Sequence, residues 1–192
     1  MEALAVAFAD LAESEPTSIA RALRRRDSEF IARLVSRYHY RLVRYLVYLT
    51  ARREPAEDLV QETWMRVLER AAQYDGQSRF EPWLFAIARN LAFDWLRRQP
   101  QPVPESGAEF AAPDGQSPFV SAAKSEDAAR LAAALGELEP IYREALLLRF
   151  QEELSLQEIA GVAGAPVSTI SSRIHRGLAM LRSRLEEGID VG

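Results

Sequence analysis

Two carboxylates, Asp58 and Glu62, are four residues apart in a segment with helical periodicity, so both would lie on one helix face. A pair of this kind could serve a hydrolase or nuclease as acid and base or as metal ligands. Such a site needs further ligands from other helices, and the chain has no cysteine and only two histidines, His39 and His175. The sequence therefore predicts a protein that is not an enzyme and holds no metal or cofactor.

A second set of side chains could read DNA. Residues 155–182 combine a capping box at Ser155 and Glu158, two glycines where the chain must turn, and Pro166 in the first turn of a new helix. This is the layout of a helix-turn-helix, although an ordinary helical hairpin with a solvated face would share it. On the second helix, small hydroxyls and arginines face away from an apolar stripe, as major-groove reading requires. The polar set is Ser168, Thr169, Ser172, Arg173 and Arg176, and the stripe is Val167, Ile170, Ile174, Leu178, Leu181 and Leu185.

Helices must position these side chains, because no alternation typical of strands occurs along the chain. An amphipathic helix, continuous or broken near residue 38 or 39, is predicted from Phe30 onward. A second is predicted from about Pro55 to about Ala72. After turn residues at 74–79, the segment 80–98 predicts a helix that is apolar on one side and aromatic and basic on the other.

The helical pattern stops between residues 99 and 125, where five of the ten prolines lie among serines, glycines, alanines and acids. Such a segment cannot bury enough apolar surface to form a core, so it predicts a linker. The fold class is therefore all-α, with two small helical domains joined by a flexible proline-rich linker. The predicted boundaries are an acidic extension at 1–20, a first domain at 21–98, the linker at 99–125 and a second domain at 126–188.

Charge is distributed unevenly along the chain. The net charge is −4, yet residues 17–99 hold sixteen arginines against ten acids, and no acid lies between Glu158 and Glu186. Local basic surface of this kind is typical of phosphate contact, and also of solvated arginine-rich helix faces. No apolar run approaches the roughly 20 residues that cross a bilayer, and the N-terminal acids do not fit a signal peptide. A cytoplasmic location without membrane insertion is expected.

Three segments together resemble the sigma-70 superfamily, specifically its extracytoplasmic-function (ECF) branch. They are AEDLVQETWMRVLE at 56–69, FEPWLFAIARNLAFDWLRR at 80–98 and LSLQEIAGVAGAPVSTISSRIHRGLAMLR at 154–182. The resemblance implies an RNA polymerase sigma factor that directs promoter recognition and transcription initiation, as an alternative sigma factor responding to stress or envelope signals. A helix-turn-helix regulator acting without core polymerase is the alternative, but it would have no need for the 56–98 segment.

The resemblance also implies sites. Asp58, Gln61 and Glu62 match the face that docks on the clamp helices of core RNA polymerase, although acids at a helix start can simply confer solubility. Residues 75–98 match the part that opens and reads the minus-ten element, where bases stack on aromatic rings beside cations. Any single ring there could equally belong to the core. The minus-ten candidates are Arg79, Phe80, Trp83, Arg89, Asn90, Asp94, Arg97 and Arg98.

In the last segment, the resemblance implies that Ser168, Thr169, Ser172, Arg173 and Arg176 read the minus-thirty-five element of duplex promoter DNA. Residues 142–150 match the part that grips the polymerase flap. An anti-sigma factor that covers the docking faces is expected as a further partner. The chain departs from the family pattern at Glu81, Ser168 and Ser171, so the promoter sequence does not follow from the resemblance.

Overall fold

The computed structural model describes residues 14–98 and 126–187, with side chains at 129–186 in the second range. Within these ranges it contains eight α-helices and no strand, which confirms the all-α prediction with two helical domains. The predicted linker at 99–125, most of the acidic extension and residue 188 lie outside the described residues. None of the described helices is long and apolar enough to cross a membrane.

The N-terminal domain contains four helices and one 3₁₀ turn. The Asp27 carboxylate caps the second helix by accepting from the Phe30 backbone N–H, and that helix runs unbroken past residue 39 to a left-handed residue, Ala51. Its buried face carries Tyr38, Tyr45 and neighbouring leucines. The elements are α1 (Glu15–Arg25), α2 (Ser28–Thr50), α3 (Arg53–Glu69), the 3₁₀ turn (Ala71–Gln73) and α4 (Phe80–Arg98). The predicted boundary at residue 20 therefore falls inside α1.

The C-terminal domain ends in the predicted helix-turn-helix. Ser155 and Glu158 form both hydrogen bonds of the capping box, which confirms that start signal. Gly164 ends the first helix of the motif with φ +60°, a left-handed conformation that glycine adopts without strain. The elements are α5 (Glu126–Gly136), α6 (Pro140–Leu146) with a π-helical turn (Leu147–Gln151), α7 (Leu156–Ala163) and α8 (Val167–Glu187).

The apolar stripe predicted for α8 is partly wrong. Ile170 and Ile174 are buried, but Val167 is 41% and Leu178 is 40% exposed. Gly177 lies on the buried face instead, and its backbone packs close to the Leu146 side chain of α6. Helical periodicity locates an apolar face only to within about a residue, and the packing partner decides which edge of that face is covered.

The two domains pack directly on each other. Helix α4 lies along α7, and α2 contacts α5 and α6, so buried apolar residues of both domains form one continuous core. Several arginines of the N-terminal domain reach glutamates of the C-terminal domain across this contact. The sequence predicted two separate domains, and nothing in its periodicity indicated that they close on each other.

Candidate nucleic-acid interface

The predicted polymerase-docking residues lie on one face of α3. Asp58 and Gln61 are exposed, and Glu62 is half-buried with its carboxylate accepting from Arg66 Nε at 2.9 Å. The same face continues into Met65, which is 56% exposed, and Leu68, which is 37% exposed. Together these five residues form an acidic-to-apolar strip, which we call the α3 strip.

Sequence reasoning missed Met65 and Leu68. Met65 and Leu68 follow Gln61 by four and seven residues, which places all three on the same face of α3. Helical spacing could therefore have predicted their position. Exposed large apolar side chains in a row are typical of a surface that another protein covers.

The loop at 74–79 contains hydrogen bonds formed by its own side chains. The Asp75 carboxylate accepts from the Gln77 backbone N–H at 2.8 Å, and the Tyr74 hydroxyl donates to the Ser78 carbonyl at 2.6 Å. Tyr74 is buried, which raises its pKa to about 12 and keeps the hydroxyl a donor at neutral pH. The side chains of Asp75, Gln77, Ser78 and Arg79 are exposed. The loop thus presents polar groups to solvent on a fixed backbone.

Aromatic rings cluster beneath this loop at the start of α4. Phe80 is 1% exposed and packs edge-on against Tyr38 and Tyr74, with ring centroids 5.4 and 5.3 Å apart. Trp83 is only half-buried, and its ring centroid is 5.3 Å from that of Tyr74. Of the two aromatic candidates, Trp83 offers a surface to a base, whereas the burial of Phe80 favours a packing role.

Glu81, one of the three departures from the family pattern, has a structural role. Its carboxylate accepts from the Tyr38 hydroxyl at 3.0 Å and lies 3.6 Å from Arg41 and 3.5 Å from Arg79. Burial by itself would raise the pKa of Glu81. Its own backbone N–H, the Tyr38 hydroxyl and the two arginines more than offset this, so the net pKa lies below its usual value. Glu81 is therefore an ionised link between α2, the loop and α4.

Two of the predicted minus-ten arginines contact the C-terminal domain. Arg89 Nε donates to Glu144 of α6 at 2.7 Å, and the Glu144 side chain is 1% exposed. Arg79 reaches Glu158 of α7 at 3.4 Å. Burial raises the pKa of Glu144, and Arg89 only partly offsets that effect; among the described residues Glu144 Oε2 finds no hydrogen-bond partner. In this arrangement Arg89 is occupied by the other domain.

The remaining minus-ten candidates follow along α4. Asn90 is exposed and lies within 3.4 Å of an Arg89 nitrogen. Asp94 pairs with Arg97 one turn later, and Arg97 and Arg98 are exposed at the end of the helix. Cations at a helix C-terminus complement its negative end, and both arginine side chains are exposed at the surface.

The DNA-reading residues predicted on α8 share a side of that helix. Ser168, Ser172 and Arg176 are exposed, and Thr169 and Arg173 are half-buried beside them. The opposite side packs through Ile170 and Ile174. Short hydroxyls and an exposed arginine on the outer face of a helix are the groups that major-groove reading uses.

Buried ion pairs hold the two domains together. Arg41 Nε donates to Glu152 at 2.8 Å, Arg44 lies 3.7 Å from the same carboxylate, and the Glu152 side chain is fully buried. From α6, Arg143 donates to the carbonyls of Tyr48 and Leu49 at 3.0 and 3.1 Å, at the C-terminal end of α2. Burial lowers the pKa of Arg143 to about 10, so it remains charged at neutral pH and complements the negative end of that helix.

The candidate sites contain no cluster that could bind a metal. In residues 14–98 and 126–187, no three histidine or acidic side chains converge in a way that could hold a metal ion. What the site residues share is a pattern of exposed arginines, hydroxyls and one accessible ring. These groups suit phosphates and bases.

The fold and these surfaces define a helical nucleic-acid-binding protein with a helix-turn-helix in its second domain. The Sigma-70 region 2 model matches residues 34–100, and the Sigma-70, region 4 model matches residues 128–181. The chain is 32% identical over 160 residues to the ECF RNA polymerase sigma factor SigX of Bacillus subtilis, covering 80% of this chain and 82% of the relative. It is 33% identical to the RNA polymerase sigma factor CarQ of Myxococcus xanthus, covering 80% and 88%.

Among solved structures, the chain is similar to the sigma factor RpoE of Bartonella quintana in its complex with the anti-sigma factor NepR. The TM-score is 0.67 with 26% identity, covering 82% of this chain and 98% of the other. The chain belongs to the ECF family of RNA polymerase sigma factors.

Proposed function

We propose that this sigma factor binds core RNA polymerase reversibly, reads the minus-thirty-five element with α8 and opens the minus-ten element with the loop at 74–79 and α4. The observation that carries the proposal is that one chain holds both an exposed helix-turn-helix face and a preordered polar loop beside an accessible tryptophan. Duplex reading and capture of an unstacked base need these two different surfaces.

On duplex DNA, Arg176 and Ser172 would lie in the major groove. An arginine that pairs with a guanine contributes about 1–3 kcal/mol of discrimination against another base. Ser168 and Thr169, at the start of α8, are placed for phosphates or base edges. Arg173 is half-buried and close enough to Glu144 to influence its pKa, so its position depends on α6.

On the opened strand, Trp83 would stack a base, and the exposed loop side chains would contact it by hydrogen bonds. Stacking on one aromatic ring contributes about 1–3 kcal/mol per base. Arg97 and Arg98 would follow the phosphates of the same strand, together with Asn90 and Asp94 at the surface of α4. Phe80 would support the site from beneath because it is buried under the loop.

Docking on the polymerase would use two surfaces. The α3 strip is acidic at one end and apolar at the other, which suits a basic and apolar partner face such as the clamp helices. In the segment at 142–150, Phe150 is 57% exposed and is the candidate anchor for the flap. The working domain boundaries are those expected from the sequence, except that the first domain would begin with α1 at Glu15.

The closed packing of the two domains would be a resting arrangement that opens on polymerase. Arg89 cannot contact DNA while it is paired with Glu144. Reading two promoter elements at once would also require the two domains to separate. An anti-sigma factor is the proposed partner that would hold the chain away from polymerase, and the similar sigma factor RpoE was solved in complex with the anti-sigma factor NepR.

We also propose that the chain does not catalyse RNA synthesis by itself. Catalysis of RNA synthesis would belong to the polymerase, and the chain would be cytoplasmic because its partner is core RNA polymerase. The regulator that acts without polymerase is not favoured, since a Sigma-70 region 2 match accompanies the helix-turn-helix.

Run-off transcription on genomic promoter fragments, with core polymerase alone and with this protein, tests the proposal. Discrete transcripts are expected only with the protein, and they should fade with Arg176→Ala but persist with Arg182→Ala, an exposed arginine on another side of α8. If core polymerase neither binds the protein nor initiates, while the protein alone shifts specific duplex DNA, the sigma-factor mechanism is refuted for this chain.

A further inference from the structure

Helix α1 makes direct contact with the loop at 74–79, although α1 lies outside the residues that the Sigma-70 region 2 model matches. Thr17 Oγ1 donates to the Gly76 carbonyl at 3.2 Å, and Arg24 donates to the Tyr74 carbonyl at 3.0 Å. Ser14 shares a hydrogen bond of 2.8 Å with the Thr17 hydroxyl. Two carbonyls of the loop are therefore held by side chains of α1.

The backbone of the loop is pressed against α1 at Gly76. A Cβ at this position would lie 2.9 Å from Ala20 Cβ, closer than real Cβ atoms approach, and 3.0 Å from the Pro16 carbonyl oxygen, which is also a tight contact. Gly76 also has φ +75°, which side-chain-bearing residues rarely adopt. Glycine is thus required both for the turn and for the close approach of the helix.

This contact determines which way the loop faces. Gly76 and Tyr74 are buried, whereas the intervening and following residues Asp75, Gln77 and Ser78 are exposed. With its carbonyls at 74 and 76 tied to α1, the loop must direct these side chains to the opposite, solvent side. Its internal hydrogen bonds then fix their spacing.

We propose that α1 is a positioning element for the minus-ten loop, with Thr17 and Arg24 as its positioning residues. The inference rests on the proposed function of the loop. Taking a base out of the duplex costs a few kcal/mol, so a pocket that is already ordered retains more of the contact energy than a loop that must order on binding. Neither Thr17 nor Arg24 needs to touch DNA for this effect.

The test uses full-length protein on core polymerase and a promoter identified by run-off transcription, with each minus-ten and minus-thirty-five base varied in turn. We expect Arg24→Gln and Thr17→Val each to reduce discrimination at one or two minus-ten positions by about threefold to tenfold, the effect of one hydrogen bond that orders the loop. Discrimination at minus-thirty-five and affinity for core polymerase should stay unchanged, and the melting temperature should fall by no more than about 4 °C, the effect of one lost hydrogen bond. Arg25→Gln, an exposed arginine next to Arg24, is the charge-matched control.

The double variant Asp75→Ala with Gln77→Ala separates two kinds of failure. If it leaves minus-ten discrimination intact, the loop does not read the promoter and the proposed function of the loop is wrong. If it weakens discrimination while Arg24→Gln and Thr17→Val behave like Arg25→Gln, the loop reads DNA without help from α1 and the positioning role is wrong. Equal loss at both promoter elements would also overturn it, because that result indicates general destabilisation.

Discussion

Neutralising Glu152 tests whether its buried ion pairs hold the two domains of this chain together. The Glu152 carboxylate is fully buried and accepts from Arg41 at 2.8 Å, with Arg44 at 3.7 Å. Glu152→Gln keeps the shape and one acceptor but removes the charge that both arginines face. The closed arrangement should therefore lose stability relative to the open one.

The size of this loss follows from the geometry. Removing one partner of a buried ion pair costs about 3–5 kcal/mol when the other charge is left without compensation. Here Arg41 retains Glu81 at 3.6 Å, and glutamine can still accept a hydrogen bond, so about 2 kcal/mol is the better estimate. Since 1.4 kcal/mol is a factor of ten, the ratio of open to closed molecules should rise by about 30-fold.

Single-molecule energy transfer can measure this ratio, because the chain contains no cysteine and dyes can be attached at Ala72→Cys and Ala179→Cys. Both positions are exposed and lie in different domains. The measurement is made at a low urea concentration at which wild-type molecules divide measurably between high and low transfer. Glu153→Gln, the adjacent exposed glutamate, is the control and should match wild type. An unchanged ratio in Glu152→Gln would refute the reasoning that the buried pair holds the domains together.

Three further predictions concern the separate sites. Glu81 has a lowered pKa when folded, so the stability it contributes is present above its unfolded value of about 4.3 and is lost as pH falls through the folded pKa. Urea midpoints of wild type should therefore fall more steeply below about pH 5 than those of Glu81→Gln, and parallel curves would contradict this. Ser155→Ala removes the capping box and should cost about 1 kcal/mol of unfolding free energy, measured by urea denaturation against Ser168→Ala as an exposed control. Met65→Glu should weaken binding to core polymerase by more than about tenfold in a competition assay, because exposed apolar anchors dominate the binding energy of interfaces. The Tm should not change, and retained binding would exclude Met65 from the contact.

Much of the fold could be predicted because local rules determine it. The helix at 80–98, the capping box at Ser155 and the turn at Gly164 each depend on residues within a few positions of one another. The exposed faces of α3 and α8 were also predictable, since helical spacing places Gln61 and Arg176 opposite the buried residues. The roles of these residues in binding polymerase and DNA remain predictions.

The sequence by itself determined the all-α class, the helix-turn-helix and the membership in the family, because periodicity, capping and motif order are properties of contiguous residues. Only the tertiary structure decided that Phe80 is buried, that Glu144 and Glu152 pair with arginines of the other domain, and that α1 holds the loop at Gly76. Each of these features joins residues far apart in the chain. The position of a glutamate in a helical pattern does not show whether its side chain is buried or solvated. Only the element that packs against that side chain determines this.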